Sequence, residues 1–199
     1  MINPSQSKEY ADRLVRLQQS SWKRILNVQA PYRWNLRRLN MGKVLDIGCG
    51  IGRNLINLAG GVGIDPNTSA VEIACAHGLT AYTPEAFDAS PDSRQDSYDS
   101  ILLAHVAEHI GLQATILLIK RYLNLLKPNG QVVIITPQEA GYQSDATHIE
   151  FVDFDKLREI NTALGLVESR SYSFPFPRIL GRVFRYNEFV FVSRKSSYK

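Results

Sequence analysis

The sequence predicts an α/β protein, a three-layer sandwich built on a mostly parallel seven-stranded sheet with an antiparallel last strand. Two observations support this fold class. From about residue 43 to residue 164, short apolar runs alternate with runs of helical periodicity, which is typical of a parallel sheet covered by helices. Near the end, two strand-like runs are joined by a connection too short for a helical crossover, which favours an antiparallel pair.

The individual elements follow from the spacing of apolar residues and from turn residues. The predicted strands are Lys43–Ile47, Val62–Asp65, Leu79–Tyr82, Tyr98–Ala104, Gly130–Thr136, Val167–Ser173 and Glu188–Ser193. The predicted helices are residues 6–27, Gly52–Ala59, Thr68–His77, Leu112–Leu126 and Asp153–Leu164. Pro31 is expected to interrupt the N-terminal helical region, and Pro128-Asn129-Gly130 is expected to form a tight turn.

Length and composition fit a single globular domain in a reducing compartment. The chain has 199 residues, of which 44% are hydrophobic, and no apolar run approaches the roughly 20 residues that span a bilayer. The first ten residues are polar and contain no apolar signal region, so a cytoplasmic location is expected. Cys49 and Cys75 do not form a C-x-x-C pair, so neither a disulfide framework nor structural zinc is expected.

The net charge of +4 is unevenly distributed along the chain. Lys and Arg dominate residues 1–43 and 169–199, whereas Asp and Glu dominate residues 44–168. The basic ends leave two interpretations open, a solvated surface or a surface that binds an anionic partner.

The most informative segment is the glycine-rich run after the first strand, Val44-Leu45-Asp46-Ile47-Gly48-Cys49-Gly50-Ile51-Gly52. Glycines at alternate positions let the backbone turn sharply and let a ligand approach without an intervening Cβ. Asp46 precedes the first glycine by two residues, and Asp65 ends the second strand, where a ribose hydroxyl pair would lie. A nicotinamide-binding loop is the main competitor, but it reads G-x-G-x-x-G, whereas this chain reads G-x-G-x-G.

Four segments between about residues 43 and 136 resemble, in order, the motifs of class I S-adenosylmethionine-dependent methyltransferases, which have a Rossmann-like fold. The glycine run is similar to their first motif and Gly63–Asn67 to their second. Tyr98–His109 resembles the segment around their fourth strand, and Leu126–Gly130 resembles the turn before their fifth strand. The sequence is most similar to small bacterial enzymes of the ubiquinone and menaquinone methyltransferase type, and these motifs say little about the substrate.

The resemblance implies that the chain binds S-adenosylmethionine and releases S-adenosylhomocysteine. Asp46 would contact the methionine part of the cofactor, and Asp65 would accept both ribose hydroxyls. Further contacts would come from Gly48, Cys49, Gly50 and Gly52 in the loop, from Pro66 and Asn67 beside the adenine, and from Ala104, His105 and Val106 near the sulfonium. Many relatives carry an Asp after the third strand that binds the adenine amino group. This chain has Thr83-Pro84-Glu85-Ala86-Phe87 there, so Glu85 or a backbone group near Phe87 is expected to replace it.

Histidines at the carboxyl edge of the sheet are the candidate catalytic groups. Methyl transfer needs the nucleophile, methyl group and sulfur held in line, and a hydroxyl acceptor also benefits from a general base. His105 follows the fourth strand, and His148 lies in the long loop after the fifth, where Asp145 could orient it. Alternatively, Asp145 caps the loop and His148 pins it, while His109 is expected to pack. The spacing of Asp145 and His148 is too sparse for a metal site, so no metal is expected.

Candidate acceptor-binding residues lie outside the cofactor loop, namely Tyr32, Trp34, Tyr142, Arg178 and Arg182. Residues 1–40 are predicted to form a helical lid on a methyltransferase domain of residues 41–199, together a single domain. In residues 174–185, arginines alternate with apolar residues, which favours an anionic or lipid-like acceptor and is compatible with peripheral membrane contact. The alternative is that these apolar residues pack on the sheet while the arginines face water.

The motifs therefore predict a methyltransferase, and we expect it to act on a small molecule, with oxygen as the acceptor atom. Two alternatives stay open, an RNA methyltransferase, prompted by the pI of about 9.1, and an S-adenosylmethionine-binding protein without catalysis. Nucleic acid is disfavoured because Leu103-Ala104-His105-Val106 stands where enzymes that methylate base amines often carry an N-P-P-Y-like sequence. The chain also lacks an added RNA-binding module. The oligomeric state is left open.

Overall fold

The computed structural model describes residues 22–58 and 60–195, and it has the predicted α/β architecture. Seven strands form one mixed sheet that is mostly parallel and has its antiparallel pairings at the last strands. The chain divides into two compact units, the first ending at Ser93 and the second beginning at Arg94. No helix within the described ranges is both long and apolar enough to cross a membrane.

The first unit carries parallel strands in the order β3-β2-β1. Its elements are helix α1 (Trp22–Arg38), β1 (Val44–Ile47), β2 (Gly61–Ile64), α2 (Thr68–Ala76), β3 (Ala81–Tyr82) and α3 (Pro84–Asp88). The side chain of Asn67 accepts a hydrogen bond from the Ala70 amide and caps α2, and Thr83 caps α3 in the same way. These caps fix the starts of both helices directly after the carboxyl ends of β2 and β3.

The second unit carries strands in the order β4-β5-β7-β6. Its elements are β4 (Tyr98–Ala104), α4 (Ala107–Ile110), α5 (Leu112–Tyr122), β5 (Leu126–Pro137), α6 (Glu139–Tyr142), α7 (Phe154–Ala163), β6 (Leu166–Phe174) and β7 (Glu188–Lys195). Strands β4 and β5 are parallel, whereas β7 runs antiparallel to both of its neighbours. The predicted antiparallel pair at the end of the chain is therefore confirmed.

The central strands of the second unit are almost completely buried. Ile101, Leu102, Leu103, Phe189 and Phe191 each expose less than 2% of their surface. Burying an aliphatic or aromatic side chain of this size contributes about 1.5–3 kcal/mol to folding. This core makes the ends of β4, β5 and β7 a firm platform for the loops that follow them.

Two helix predictions in the first unit are wrong. Residues 52–58 form turns and one 3₁₀ turn, Leu55–Asn57, and not the predicted α-helix. Gly52 has a φ of +84°, and Ile56 is 55% exposed, so the segment lacks both helical backbone at its start and a continuous buried stripe. Pro31 does not interrupt its helix but lies inside α1, where it costs one backbone hydrogen bond. Residues 6–21 of the predicted N-terminal helix, and Ala59, lie outside the described residues.

The largest differences from the predicted boundaries in the second unit lie on either side of residue 126. Helix α5 ends at Tyr122, and a 3₁₀ turn, Leu123–Leu125, replaces its predicted last turn. The predicted tight turn at residues 128–130 lies within β5 as an irregularity: Tyr98 pairs with Leu126, but Ser100 already pairs with Gln131. Asn129 has a φ of +62°, and the extra residues interrupt the regular pairing with β4 without ending strand β5.

Candidate active site

The glycine loop after β1 is held in a backbone conformation that favours glycine. Gly48, Gly50 and Gly52 have φ values of +79°, +53° and +84°. The amides of Gly48 and Cys49 both donate to the Ile64 carbonyl, at 2.7 and 3.1 Å, which ties the loop to the end of β2. At three positions, Gly48, Gly50 and Gly52, the loop therefore presents backbone without a Cβ atom at the carboxyl edge of β1.

Replacing Gly52 with alanine should destabilise the protein by about 2–3 kcal/mol. The added Cβ would lie 2.2 Å from Leu79 Cδ1, and the positive φ adds backbone strain of about 1–2 kcal/mol. Chemical denaturation measures the loss. Gly78→Ala is the matched control, because Gly78 also has a positive φ, +76°, but its Cβ would meet nothing within 4 Å. Equal losses in the two variants would show that contact with Leu79 does not constrain the loop.

Asp65 connects the glycine loop to the start of α2. Its Oδ2 accepts a hydrogen bond from the Gly50 amide at 2.8 Å, and its Oδ1 accepts one from the Asn67 amide at 2.9 Å. Burial raises the pKa of Asp65, and the hydrogen bonds from Asn67 and Gly50 oppose that rise. Each carboxylate oxygen can accept a second hydrogen bond, so Asp65 can still receive a pair of ligand hydroxyls.

Asp46 is the buried polar group in the first unit that most needs a partner. It is fully buried, and neither carboxylate oxygen has a well-formed hydrogen bond to a described residue. Burial raises the pKa of Asp46 to about 7; the Asn54 side chain lowers it in part, and the charge of Asp65 raises it further. A buried carboxylate without a partner is costly, so the site favours a ligand that brings a cation or a strong donor.

The other candidates in the first unit differ in their availability to a ligand. The Phe87 side chain is completely buried and so packs in the core, although its backbone remains a candidate. Glu85 and Pro66 are exposed, and Tyr32 is half-buried. Trp34 is 55% exposed, with the Arg38 guanidinium 5.1 Å from its ring centroid.

In the second unit, His105 is held between two carboxylates. It follows β4 with a φ of +58°, its Nδ1 lies 3.3 Å from Glu108 Oε1, and its Nε2 lies 2.9 Å from Glu188 Oε1. Burial lowers the pKa of His105, but hydrogen bonds and the charges of Glu108 and Glu188 outweigh this and raise it to about 10. An imidazolium has no lone pair to accept a proton, so this geometry favours a fixed cation over the predicted base.

His148 is oriented by a backbone carbonyl. Its Nδ1 lies 2.7 Å from the Tyr142 carbonyl oxygen, and its ring stacks on the Tyr142 ring with a centroid distance of 5.4 Å. Asp145 Oδ1 instead accepts hydrogen bonds from the Thr147 amide and hydroxyl, at 3.0 and 2.8 Å. Asp145 thus caps its own loop, which is the alternative that the sequence left open, and Tyr142 supplies the orienting contact.

The connection between β6 and β7 contains arginines in two different environments. Arg178 forms a two-pronged ion pair with Glu139, including an Nη1–Oε2 distance of 2.7 Å, and this pair lowers the pKa of Glu139. Arg178 is therefore already neutralised and cannot bind an anionic acceptor without breaking that pair. Arg182 and Arg185 are exposed, and neither forms an ion pair with a described carboxylate.

A buried polar cluster that the sequence analysis missed holds the base of this connection. Asn187 Nδ2 donates to Gln138 Oε1 and to Ser173 Oγ, both at 3.0 Å, and the Phe176 amide donates to Asn187 Oδ1 at 2.9 Å. Gln138 also donates to the Glu188 carbonyl at 2.9 Å. Amide side chains directly after β5 and before β7 were the only signal in the sequence.

A family model described as a methyltransferase domain matches residues 10–168. Among similar solved structures, a SAM-dependent methyltransferase from Archaeoglobus fulgidus has 18% identity and a TM-score of 0.67, covering 92% of this chain and 99% of its own. Magnesium protoporphyrin IX methyltransferase from Synechocystis PCC 6803, solved with bound SAH, has 15% identity and a TM-score of 0.69, covering 98% of both chains.

A third similar structure is the complex between the Haloferax volcanii Trm112 methyltransferase activator and a putative methyltransferase, with 18% identity and a TM-score of 0.70 over 99% of both chains. At these identities the likeness concerns the fold alone. No curated protein shows significant sequence similarity to the chain.

Proposed function

The chain belongs to the methyltransferase domain family, and from that premise we propose that it transfers a methyl group from S-adenosylmethionine to a small molecule. The observation that carries the cofactor assignment is the pairing of three loop glycines of positive φ with two acids of different character. Asp65 is already hydrogen-bonded to Gly50 and Asn67, and Asp46 is buried without a hydrogen-bond partner among the described residues.

These groups fit the chemical parts of S-adenosylmethionine. When bound, the cofactor supplies an activated methyl group on a sulfonium, so the residues mainly bind and orient it. We assign the ribose hydroxyls to Asp65 and the cationic amino group of the methionine part to Asp46, whose two oxygens need such a partner. The cofactor contacts of Pro66, Asn67, Glu85, Ala104, His105 and Val106 remain proposals from the family resemblance.

The acceptor is proposed to be apolar with an anionic group. The evidence is the exposed surface of the β6–β7 connection, where Ile179 is 71% and Val183 77% exposed beside Arg182 and Arg185. Because the Asn187 cluster fixes the base of the connection, these side chains stay exposed in the folded unit. The surface thus offers apolar contact and a cationic rim, which suits an amphipathic acid or a lipid.

Replacing Arg182 and Arg185 together with glutamine should raise the Michaelis constant for such an acceptor, and more so at low salt. Exposed charge contacts are already screened within about 8 Å near 0.15 M ionic strength. Arg170→Gln is the matched control, since Arg170 is exposed on β6 outside this connection. Steady-state kinetics at about 20 mM and 150 mM salt provide the test; identical acceptor kinetics in the double variant and the control at low salt would contradict the proposal.

Transfer of a labelled methyl group distinguishes the remaining functions. The full chain is incubated with labelled S-adenosylmethionine and either hydroxylated aromatic acids, their uncharged esters, or total RNA. The proposal expects label in the aromatic acids in preference to the esters. Label in RNA alone would favour the nucleic-acid alternative, and cofactor binding without any transfer would favour a non-catalytic protein.

Two parts of the sequence prediction remain proposals about the acceptor side. We propose that residues 1–40 form a lid, to which Trp34 and Tyr32 contribute contacts; residues 1–21 lie outside the described residues.

We also propose that Tyr142 contacts the acceptor and that His148 accepts the acceptor's hydroxyl proton. A histidine whose Nδ1 bonds to a carbonyl keeps a lone pair on Nε2.

A further inference from the structure

A group of potential metal ligands lies where α4 meets the loop before α7. Glu108 and His109 belong to α4, and His148 belongs to the loop. The Glu108 carbonyl accepts hydrogen bonds from the amides of Ile149 and Glu150, at 2.8 and 3.2 Å, and these bonds hold the loop against the helix. As a result, one ligand atom from each of Glu108, His109 and His148 lies within 4.8 Å of the other two.

In both imidazoles of this group, Nδ1 lies beside a backbone carbonyl oxygen, which leaves Nε2 as the nitrogen for a ligand. His148 Nδ1 lies 2.7 Å from the Tyr142 carbonyl oxygen, and His109 Nδ1 lies 3.3 Å from the Thr147 carbonyl oxygen. A carbonyl oxygen can only accept, so His148 Nδ1 carries the proton and its Nε2 carries a lone pair. The Thr147 hydroxyl lies 3.2 Å from His109 Nδ1 but donates its proton to Asp145, so His109 Nδ1 is also a donor. Metal-bound histidines typically donate their other N–H to a carbonyl or carboxylate in this way.

One of the two carboxylate oxygens of Glu108 lacks a hydrogen-bond partner among the described residues. Glu108 is completely buried, its Oε1 bonds to His105, and its Oε2 has no hydrogen-bond partner among the described residues. The rings of His109 and His148 donate no hydrogen bond to this oxygen. A buried acceptor beside two further lone pairs is a costly arrangement that a cation would relieve.

We propose that Glu108, His109 and His148 bind a divalent transition-metal ion of the Zn²⁺ type. Two imidazoles and one carboxylate form a ligand set that suits Zn²⁺ and Co²⁺ and leaves a fourth position for water or another oxygen ligand. Ligand atoms about 2.1 Å from a tetrahedral ion lie roughly 3.4 Å apart, so side-chain movements of about 1 Å would complete the site. The sequence-based prediction that no metal binds considered only Asp145 and His148 as ligands. The site proposed from the structure does not use Asp145 and instead combines His148 with Glu108 and His109 of α4.

The metal would change the chemistry assigned to His148. If His148 holds the ion, its imidazole would not serve as the base, and the ion would instead supply Lewis-acid chemistry at the acceptor oxygen. This extension to the acceptor's hydroxyl rests on the proposed function. The ion-binding site itself does not, because it is defined by side chains of the second unit alone.

Metal titration of the full chain tests the site without cofactor or acceptor. The protein is stripped with a chelator and dialysed, then titrated with Zn²⁺ by calorimetry and with Co²⁺ by visible absorption. We expect one ion per chain and an affinity at least about 100-fold weaker in Glu108→Gln and in His148→Ala, since even loss of an outer contact costs 10–100-fold. His77→Ala is the control, because His77 is exposed at the end of α2.

Each outcome decides the proposal. No binding by the wild type, or equal affinity in all four proteins, would overturn it. If the variants lose their circular dichroism signal, nitrogen NMR of the wild-type histidines decides instead. Zn²⁺ should then shift the Nε2 signals of His109 and His148 while leaving the His77 signals unchanged, and any other pattern would place the ion elsewhere.

Discussion

Replacing Asp65 with alanine is expected to weaken S-adenosylhomocysteine binding by about 100-fold while the fold survives. Under the proposed assignment, the change would remove two charge-assisted hydrogen bonds to the ribose, each worth about 1.5–3 kcal/mol. It also removes the carboxylate that accepts hydrogen bonds from the Gly50 and Asn67 amides. In the wild type these two bonds connect the glycine loop to the start of α2. Calorimetric titration of the variant measures the loss of affinity directly.

Two controls separate ligand contact from loop support in that experiment. Asp88→Ala removes an exposed acid from α3 in the same unit and should leave the affinity unchanged. Asp65→Asn keeps one oxygen for the loop but loses the charge, so its affinity should fall between those of the wild type and Asp65→Ala. A folded Asp65→Ala protein that binds as tightly as the wild type would remove the ribose assignment.

Asp46 is expected to make the unliganded protein less stable as the pH rises. Its folded-state pKa is raised from 3.8 to about 7, so the folded state holds a proton that the unfolded state has already lost. The free energy of unfolding therefore falls between about pH 4 and pH 7 and is level above that. Between pH 5 and pH 8 this amounts to about 3 kcal/mol at 1.36 kcal/mol per unit of pKa.

Asp46→Asn isolates that effect, because the amide carries no charge at either pH. Denaturation at pH 5 and pH 8 should show the variant gaining about 3 kcal/mol relative to the wild type at the higher pH. The variant's affinity for S-adenosylhomocysteine should nevertheless be lower than that of the wild type at pH 8, where under the proposed assignment ionised Asp46 would pair with the ligand's ammonium group. A stability difference that does not change with pH would mean that Asp46 titrates normally in the folded protein.

The sequence predicted the fold well where local pattern and tertiary packing agree. Strand Tyr98–Ala104 was placed with its observed bounds because it ends in the apolar run Ile101–Ala104, which the core buries on both sides. The glycine loop was recognisable because glycines at alternate positions indicate a backbone with positive φ, and the structure has positive φ at all three glycines. The segment after it was mistaken for a helix because its apolar spacing is helical while Gly52 takes a left-handed φ.

Contacts between distant residues could not be predicted in the same way. Nothing near Arg178 in the sequence shows that Glu139 neutralises it, and Tyr142 gives no local sign that its carbonyl orients His148. Glu108 likewise gives no sign that one of its oxygens is buried without a partner. Such features depend on which loops the fold brings together, and no local pattern in the sequence records that.

One calorimetric measurement tests the central claim, that the glycine loop and its two acids form an S-adenosylmethionine site. The full chain is titrated separately with S-adenosylmethionine, S-adenosylhomocysteine, NADH and NADPH at pH 8. Our account predicts that one molecule of either S-adenosyl compound binds per chain with micromolar or tighter affinity, and that neither nicotinamide cofactor binds. Binding of a nicotinamide cofactor, or no heat with either S-adenosyl compound from folded protein, would contradict it.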